Sequence, residues 1–327
     1  MGQQKADHFT IIGCNPVGPT VLLTSFAIVA PIFALIAIGF LTVRTGLISR
    51  AASEGLAEFV FVLAIPALLF RTVATADLPN LNPGPYWAAY FIPLALCWFL
   101  ASLIARASGR DRVERAVIGF SAAQSNTVLI GIPLILGVFG QAGKVPVVLL
   151  LVVHLPITMT IVTVLIERGG GAKAGLKLAR SLLTHPILLG IFAGLAWRFS
   201  GLHLPAIPLK ILTFLGDTAA PCALVATGMS LVRVSFSGAK TIIVLITALK
   251  LVVHPLLVFL LATKLFGLPP VWAGAATLFA ACPTGINAYL VAERYRKGEA
   301  IASGTIALST LLAVVTTTIA VMLVTGK

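Results

Sequence analysis

Two short polar stretches interrupt apolar parts of the chain, and both combine an asparagine with glycine and proline. The first reads QSNTVLIGIPL, from Gln124 to Leu134, and the second reads CPTGINAYL, from Cys282 to Leu290. Proline lacks a backbone N–H and clashes with the preceding turn, whereas glycine tolerates unwound backbone. Unpaired backbone groups at membrane depth survive only inside protein or beside a water-filled cavity. The two stretches therefore predict broken helices that border a binding site.

These stretches supply groups that suit a charged solute. The N-termini of half-helices offer N–H groups to an anion, and carbonyls freed by a break suit a cation. An asparagine amide both donates and accepts, so it can hold a carboxylate or bridge the unwound backbone. A packing kink is the alternative explanation for either stretch alone. The predicted substrate-binding residues are Ser125, Asn126, Gly131, Pro133, Pro283, Thr284, Gly285 and Asn287.

Ionisable residues inside apolar runs form a second set of candidates. Asp217 and Lys250 have opposite charges and lie at similar depth, which predicts a pair that serves either ion coupling or structure alone. His254 lies one helical turn beyond Lys250, so a proton relay and a purely structural histidine both stay open. With Gln124, these three are the candidate ion-coupling residues.

Composition excludes a soluble domain. Of the 327 residues, 59% are hydrophobic and only 10% are charged, whereas soluble domains carry about 25% charged residues. The net charge of +13 resembles that of nucleic-acid-binding proteins, but no solvated basic domain is present, so we expect no nucleic-acid partner. The four cysteines are scattered without metal-ligand spacing, so no metal site or cofactor is expected beyond a coupling proton or sodium ion.

Enzyme motifs are also missing from the sequence. It contains no HExxH zinc motif, no nucleotide-binding loop and no GxSxG nucleophile motif. We therefore expect that the protein is not an enzyme and not an ATP-driven pump.

The elements that must position these residues are apolar runs of about 20 residues, the length that crosses a membrane as a helix. The predicted fold class is an all-α membrane protein with ten transmembrane helices. Their approximate ranges are 20–42, 54–74, 85–106, 115–139, 143–166, 182–199, 207–231, 240–266, 271–293 and 300–324. Fifteen Lys and Arg residues fall on one side of this arrangement and seven on the other. The richer side should be cytoplasmic, which places both termini on the non-cytoplasmic side.

The two halves of the chain match at an offset of 155 residues. The matched positions include Pro31 with Pro186, Gly39 with Gly194, and Pro66 with Pro221. Five spans per half is an odd number, so the second half enters the membrane from the opposite side, as in many secondary transporters. The predicted division is a first repeat over 1–166, a cytoplasmic linker over 167–181 and a second repeat over 182–327.

The stretches SNTVLIGIPL and PTGINAYLVA resemble the auxin efflux carrier family, in particular its bacterial malonate-type permeases. The resemblance covers nearly the whole chain and implies a fold similar to bile-acid symporters and sodium/proton antiporters. In that fold, spans 1, 2, 6 and 7 form a scaffold, spans 3–5 and 8–10 form a transport domain, and broken spans 4 and 9 cross. Asn126 with Pro133, and Pro283 with Asn287, would frame an anion site. Thr127 stands where some members have proline.

These observations together predict a secondary active transporter of a small organic anion, a mono- or dicarboxylate, that works by alternating access. A sodium-coupled bile-acid-type symporter is the alternative within this class, and a membrane sensor or enzyme is the alternative outside it. Proton coupling, sodium coupling and uniport all stay open. The expected surroundings are the lipid bilayer of a bacterial inner membrane, with a homodimer as one possible assembly.

Overall fold

The computed structural model describes residues 19–75, 82–167, 183–232 and 239–326, together with Arg180. Within these ranges every regular element is helical and no strand is formed. Most of the predicted linker 167–181 lies outside the described residues, as do the first 18 residues.

The first half contains seven described α-helices. They are α1 (Pro19–Arg44), α2 (Arg50–Phe59), α3 (Ile65–Thr75), α4 (Gly84–Ala107), α5 (Arg112–Ala123), α6 (Ile132–Phe139) and α7 (Lys144–Ile166). A π-helical turn, Val60–Ala64, joins α2 to α3 without a break, and a second one, Thr127–Gly131, leads into α6. A 3-10 turn, Gly140–Gly143, connects α6 to α7.

The second half contains seven more within the described ranges. They are α8 (Pro186–Phe199), α9 (Ala206–Leu231), α10 (Lys240–Ala248), α11 (His254–Leu260), α12 (Pro270–Ala281), α13 (Asn287–Tyr295) and α14 (Glu299–Thr325). The π-helical turns Leu249–Val253 and Leu261–Leu265 extend α10 and α11 into one continuous helical stretch.

Seven helical stretches in the described part of the chain are long and apolar enough to cross a membrane. They are Leu22–Arg44, Arg50–Thr75, Gly84–Ala107, Thr127–Ile166, Ala206–Leu231, Lys240–Leu265 and Glu299–Thr325. Two shorter apolar helices, α8 and α12, add to them. The protein is therefore an all-helical, multi-pass membrane protein, and the count of ten spans stays a prediction.

Both polar stretches lie at interruptions between helices, but the first interruption differs from the prediction. The chain leaves the helix at Gln124–Asn126, whereas Gly131 is helical, with φ −63° and ψ −45°. Pro133 lies within the continuous helical run from Thr127 to Phe139, and the π-helical turn directly before it accommodates the missing N–H without unwinding the helix. The expectation that Gly131 and Pro133 unwind the helix is therefore wrong. In the second stretch the break runs from Cys282 to the start of α13 and includes its proline, as expected.

Small residues allow two pairs of helices to approach very closely. A Cβ atom added to Gly39 of α1 would meet the backbone of Val225 in α9. One added to Gly194 of α8 would lie 2.9 Å from the carbonyl oxygen of Phe70 in α3. In a membrane, where lipid competes with apolar side chains, such backbone contact is a main source of helix association.

Asp111 ties α5 to the loop that precedes α14. Its carboxylate accepts hydrogen bonds from the backbone N–H groups of Val113 and Glu114, and the ammonium of Lys297 lies 2.6 Å away. The bond from Lys297 and those from the backbone lower the pKa of Asp111, and the carboxylate raises the pKa of Lys297. The lowered pKa stabilises the fold above about pH 4 and the raised one below about pH 10, so both contributions are present at pH 7.

We expect Asp111→Ala to lower the free energy of unfolding by about 1 kcal/mol at pH 7, because the variant loses the helix cap. Asp111→Asn keeps a capping oxygen and loses only a solvent-exposed ion pair, so it should be destabilised less than Asp111→Ala. Thermal unfolding of both variants in detergent at pH 7 measures the difference. Equal destabilisation by the two substitutions would contradict the capping role.

Candidate functional site

The two interrupted segments lie against each other in antiparallel orientation. The N–H of Asn126 donates to the carbonyl of Pro283 at 2.7 Å, and the N–H of Gly285 donates to the carbonyl of Gln124 at 2.9 Å. Between these bonds Ser125 faces Thr284 in an isolated β-bridge. Each break therefore satisfies backbone groups that the other has freed, which explains how both persist inside the protein.

Side chains from outside each broken helix satisfy carbonyls near its C-terminal end. Thr284 donates its hydroxyl to the carbonyl of Ser121 in α5 at 2.9 Å. Lys250 donates its ammonium to the carbonyl of Ala280 in α12 at 2.6 Å. The N–H of Thr284, which would bond Ala280 in a continuous helix, donates instead to the hydroxyl of Ser309 in α14 at 3.0 Å.

A small cavity lies where the two segments that follow the breaks begin. Its volume is about 40 Å³. The lining contributed by the breaks and the residues beside them is Gln124, Ser125, Asn126, Thr127, Val128, Gly285, Ile286 and Asn287. At the start of α13 the N–H groups of Ala288 and Tyr289 donate to the carbonyls of Gly285 and Ile286. The N–H groups of Thr127, Val128 and Asn287 form no hydrogen bond with another described residue, so these are the backbone donors available beside the cavity.

The other wall of the cavity comes from helices that are not broken. Phe61 lies between α2 and α3, Leu151 and Leu155 belong to α7, and His185 and Ile187 lie at the start of α8. The cavity is thus lined mainly by polar groups on the side of the breaks and mainly by apolar groups opposite them.

The two asparagines are the polar side chains best placed to bind a solute. Asn126 is 8% exposed and Asn287 is half-buried, and both line the cavity. Neither amide side chain forms a hydrogen bond with another residue in the described ranges. In a simple packing kink, the asparagine amide would form hydrogen bonds with the backbone groups that the kink leaves unpaired. The lack of such bonds among the described residues argues against the packing-kink alternative.

Only part of the predicted binding set lines the cavity. Ser125, Asn126, Gly285 and Asn287 do so, together with the coupling candidate Gln124. Gly131, Pro133, Pro283 and Thr284 lie outside the lining, and the last two hold the breaks together through the bonds described above. A Cβ atom on Gly131 would be 3.3 Å from the sulfur of Cys282, so this glycine allows the two broken segments to pack closely.

The other coupling candidates divide into a buried cluster and an outlying carboxylate. Lys250 and His254 are fully buried, with the ammonium 3.3 Å from Nδ1 of His254 and 2.7 Å from the hydroxyl of Ser125. Asp217 instead pairs with Arg71 of α3 at 3.1 Å, and its side chain is 63% exposed. The predicted Asp217–Lys250 pair is therefore wrong. The position of a residue along its own helix does not specify which neighbouring helix its side chain faces, and Asp217 faces Arg71 of α3.

Comparison with known proteins places the whole arrangement in a family. A family described as membrane transport protein matches residues 24–321, which include both interrupted segments. The chain belongs to this family. The resemblance to auxin efflux carriers is thereby confirmed.

Three relatives illustrate the breadth of the family. A proposed malonate transporter of Rhizobium meliloti (strain 1021) is 31% identical over 89% of this chain and 93% of its own length. An uncharacterized transporter of Methanothermobacter thermautotrophicus is 24% identical over 72% of this chain and 78% of its own length. The lysosomal cholesterol signaling protein of Mus musculus is 26% identical over 75% of this chain, which corresponds to 31% of that protein. The first two names point to a transporter rather than an enzyme.

Three residues that are not among the predicted site residues lie at the site. His185 lines the cavity, and its buried Nδ1 has no hydrogen-bond partner in the described ranges. Thr158 of α7 donates its hydroxyl to the side-chain oxygen of Gln124 at 3.0 Å. Ser309 is buried in α14 and lies one helical turn from the buried Thr305, and this spacing of four places two polar side chains on one face of an apolar helix.

Proposed function

We propose that this protein is a secondary active transporter that carries a small carboxylate across the membrane by alternating access. The observation that carries the proposal is a pair of amide side chains, Asn126 and Asn287, that bond no other residue in the described part of the chain and line a cavity where two helical segments begin. Backbone donors at helix starts and amide donors together form a site that is complementary to an anion.

The lining of the cavity and the name of a relative support a small carboxylate. The described lining offers amide and backbone donors and contains no acidic side chain, which suits an anion and disfavours the sodium-coupled bile-acid-type alternative. One relative, which is 31% identical to this chain, is described as a proposed malonate transporter. Malonate, a three-carbon dicarboxylate, is therefore the first substrate to test.

The proposed mechanism rests on an inverted repeat of five plus five spans, with the broken fourth and ninth spans crossing at the site. The packing of repeat-related glycines supports this symmetry. Gly39 of the first span packs against α9, the seventh span, while its repeat partner Gly194 of the sixth span packs against α3, in the second. Exchange of the two halves maps one contact onto the other, as an inverted repeat requires.

In this mechanism the scaffold comprises spans 1, 2, 6 and 7, and the transport domain comprises spans 3–5 and 8–10. The cavity then lies between them, because Phe61 and Ile187 belong to scaffold spans while Asn126 and Asn287 belong to the transport domain. Movement of one group of helices against the other would open this boundary to either side in turn. We place the protein in a bacterial inner membrane, with both termini on the non-cytoplasmic side.

The decisive experiment is malonate uptake by proteoliposomes that contain the Asn287→Ala variant. Loss of a hydrogen bond to a charged group costs about 1.5–3 kcal/mol, so we expect binding and uptake to fall about 10- to 100-fold. Folding should be unchanged, because the Asn287 amide bonds no other described residue.

Gln141→Ala is the matched control, since Gln141 is an exposed amide residue in the turn between α6 and α7. It should transport at the wild-type rate. Wild-type uptake by Asn287→Ala would refute the assignment of the site, and absence of uptake of any small carboxylate by the wild type would refute the function.

A further inference from the structure

Lys250 is a fully buried lysine whose hydrogen-bonding capacity is filled. It lies in the π-helical turn Leu249–Val253 and is 0% exposed. Its nitrogen contacts the carbonyl of Ala280 at 2.6 Å, the hydroxyl of Ser125 at 2.7 Å and Nδ1 of His254 at 3.3 Å. An ammonium has three N–H donors and no acceptor, so the carbonyl, the hydroxyl oxygen and, in the tautomer with the proton on Nε2, Nδ1 of His254 match the charged form of the side chain.

No carboxylate of the described residues balances the charge of Lys250. None of the acidic side chains in the described ranges forms an ion pair with Lys250. The titratable groups that face it from the surrounding helices are phenol, imidazole and thiol groups, namely Tyr90, Cys97, His154, His254 and Cys282. A buried cation without a counter-ion costs several kcal/mol, so other negative potential must stabilise it.

That potential is provided by the ends of two broken helices. Ala280 lies next to the last residue of α12, and Ser125 lies two residues after the end of α5. The C-terminus of a helix carries the equivalent of about half a negative elementary charge. Two such ends together offset about one positive charge at the point where Lys250 places its ammonium.

Freed carbonyl and hydroxyl oxygens at the C-terminal ends of broken helices are the ligands that hold a coupling cation in transporters of this architecture. Here the ammonium already binds these oxygens. Ser125 also lines the cavity, so the positive charge lies one side chain behind the proposed anion site.

We propose that the Lys250 ammonium is a built-in cation, which takes the position that a coupling metal ion would fill, so that the substrate anion is bound and carried without sodium. This inference rests on the proposed function. Of the coupling modes that the sequence left open, it excludes sodium coupling and keeps proton coupling and uniport. It also requires that a tightly bound solute carries a negative charge.

The first test uses the wild-type protein in proteoliposomes, with malonate as the probe and with choline in place of sodium. We expect uptake to change by less than about twofold, because no site for a metal ion is left at the crossing. A sodium requirement for uptake would overturn the inference.

The second test removes the ammonium. We expect Lys250→Met to lose at least about tenfold in malonate uptake, whereas Lys264→Met, at the exposed end of the same helical stretch, keeps the wild-type rate. Wild-type uptake by Lys250→Met would refute the role of the charge.

A third measurement needs no transport and no stable Lys250→Met protein. The melting temperature of wild type should be the same in sodium and choline chloride. Lys250→Ala leaves Ser125 and Ala280 without their cation, so methylammonium or sodium should raise its melting temperature relative to choline. A sodium-specific shift in the wild type, or no shift in Lys250→Ala with either cation, would overturn the inference. These results are independent of whether malonate is the substrate, so failure of the proposed function and failure of this inference are distinguishable.

Discussion

Gly285→Ala should reduce malonate uptake to the level of empty liposomes. A Cβ atom at this position would lie 2.9 Å from the carbonyl oxygen of Ser125 and 3.3 Å from Cα of Asn126. Both contacts are with backbone, which cannot rotate away as a side chain does. Moreover, the N–H of Gly285 is bonded to the carbonyl of Gln124 at 2.9 Å, so separation of the segments breaks this bond.

The expected consequence is displacement of the two cavity walls together with a loss of stability of about 1–3 kcal/mol, the usual cost of overpacking. Uptake assays should be combined with melting temperatures, because a folded but inactive variant identifies a geometric effect on the site. Gly55→Ala is the control, since this exposed glycine of α2 has nothing within 4 Å of an added Cβ. A Gly285→Ala protein that transports normally would show that the antiparallel contact between the breaks is dispensable.

Gly228→Ala should strongly reduce the yield of folded protein. An added Cβ would overlap the carbonyl oxygen of Ile36 and approach the backbone nitrogen of Phe40 at 2.9 Å, so α9 and α1 would have to separate. Their association depends on close backbone packing, because lipid replaces apolar side-chain contacts at little cost. We expect a loss of about 3 kcal/mol or more, the upper part of the range for overpacked sites.

Gly137→Ala is the matched control for this prediction. Gly137 also lies within a helix, α6, but an added Cβ would meet only the side chain of Ile28, at 4.0 Å. Alanine is preferred to glycine in a helix by about 1 kcal/mol, so this variant should be as stable as the wild type or slightly more stable. Size-exclusion yield and melting temperature measure both variants, and equal behaviour of the two would contradict the close α1–α9 contact.

The sequence was sufficient for the membrane class and for the location of the two interruptions. Composition and apolar runs depend only on local residue content, and they correctly indicated an all-helical membrane protein. Proline, glycine and asparagine within an apolar run identified the segments Gln124–Leu134 and Cys282–Leu290, because few other environments tolerate such residues at membrane depth.

Residue preferences alone did not locate the helix break within the first polar stretch. Pro133 suggested that the helix breaks near it, yet the π-helical turn Thr127–Gly131 accommodates the proline, and the break lies upstream at Gln124–Asn126. The local sequence is compatible with a break at either position. Only the bonds from the second segment, to Gln124 and Asn126, favour the one that is adopted.

The sequence by itself determined what kind of protein this is: a helical membrane protein with two polar interruptions and a few costly charges in apolar surroundings. The tertiary structure decided which groups meet. Asp217 pairs with Arg71, and Lys250 binds oxygens of Ser125 and Ala280, which are 125 and 30 residues away. Periodicity fixes the depth and spacing of a residue along its own helix. The partner depends on rotation and packing between helices distant in sequence, and no local pattern encodes these.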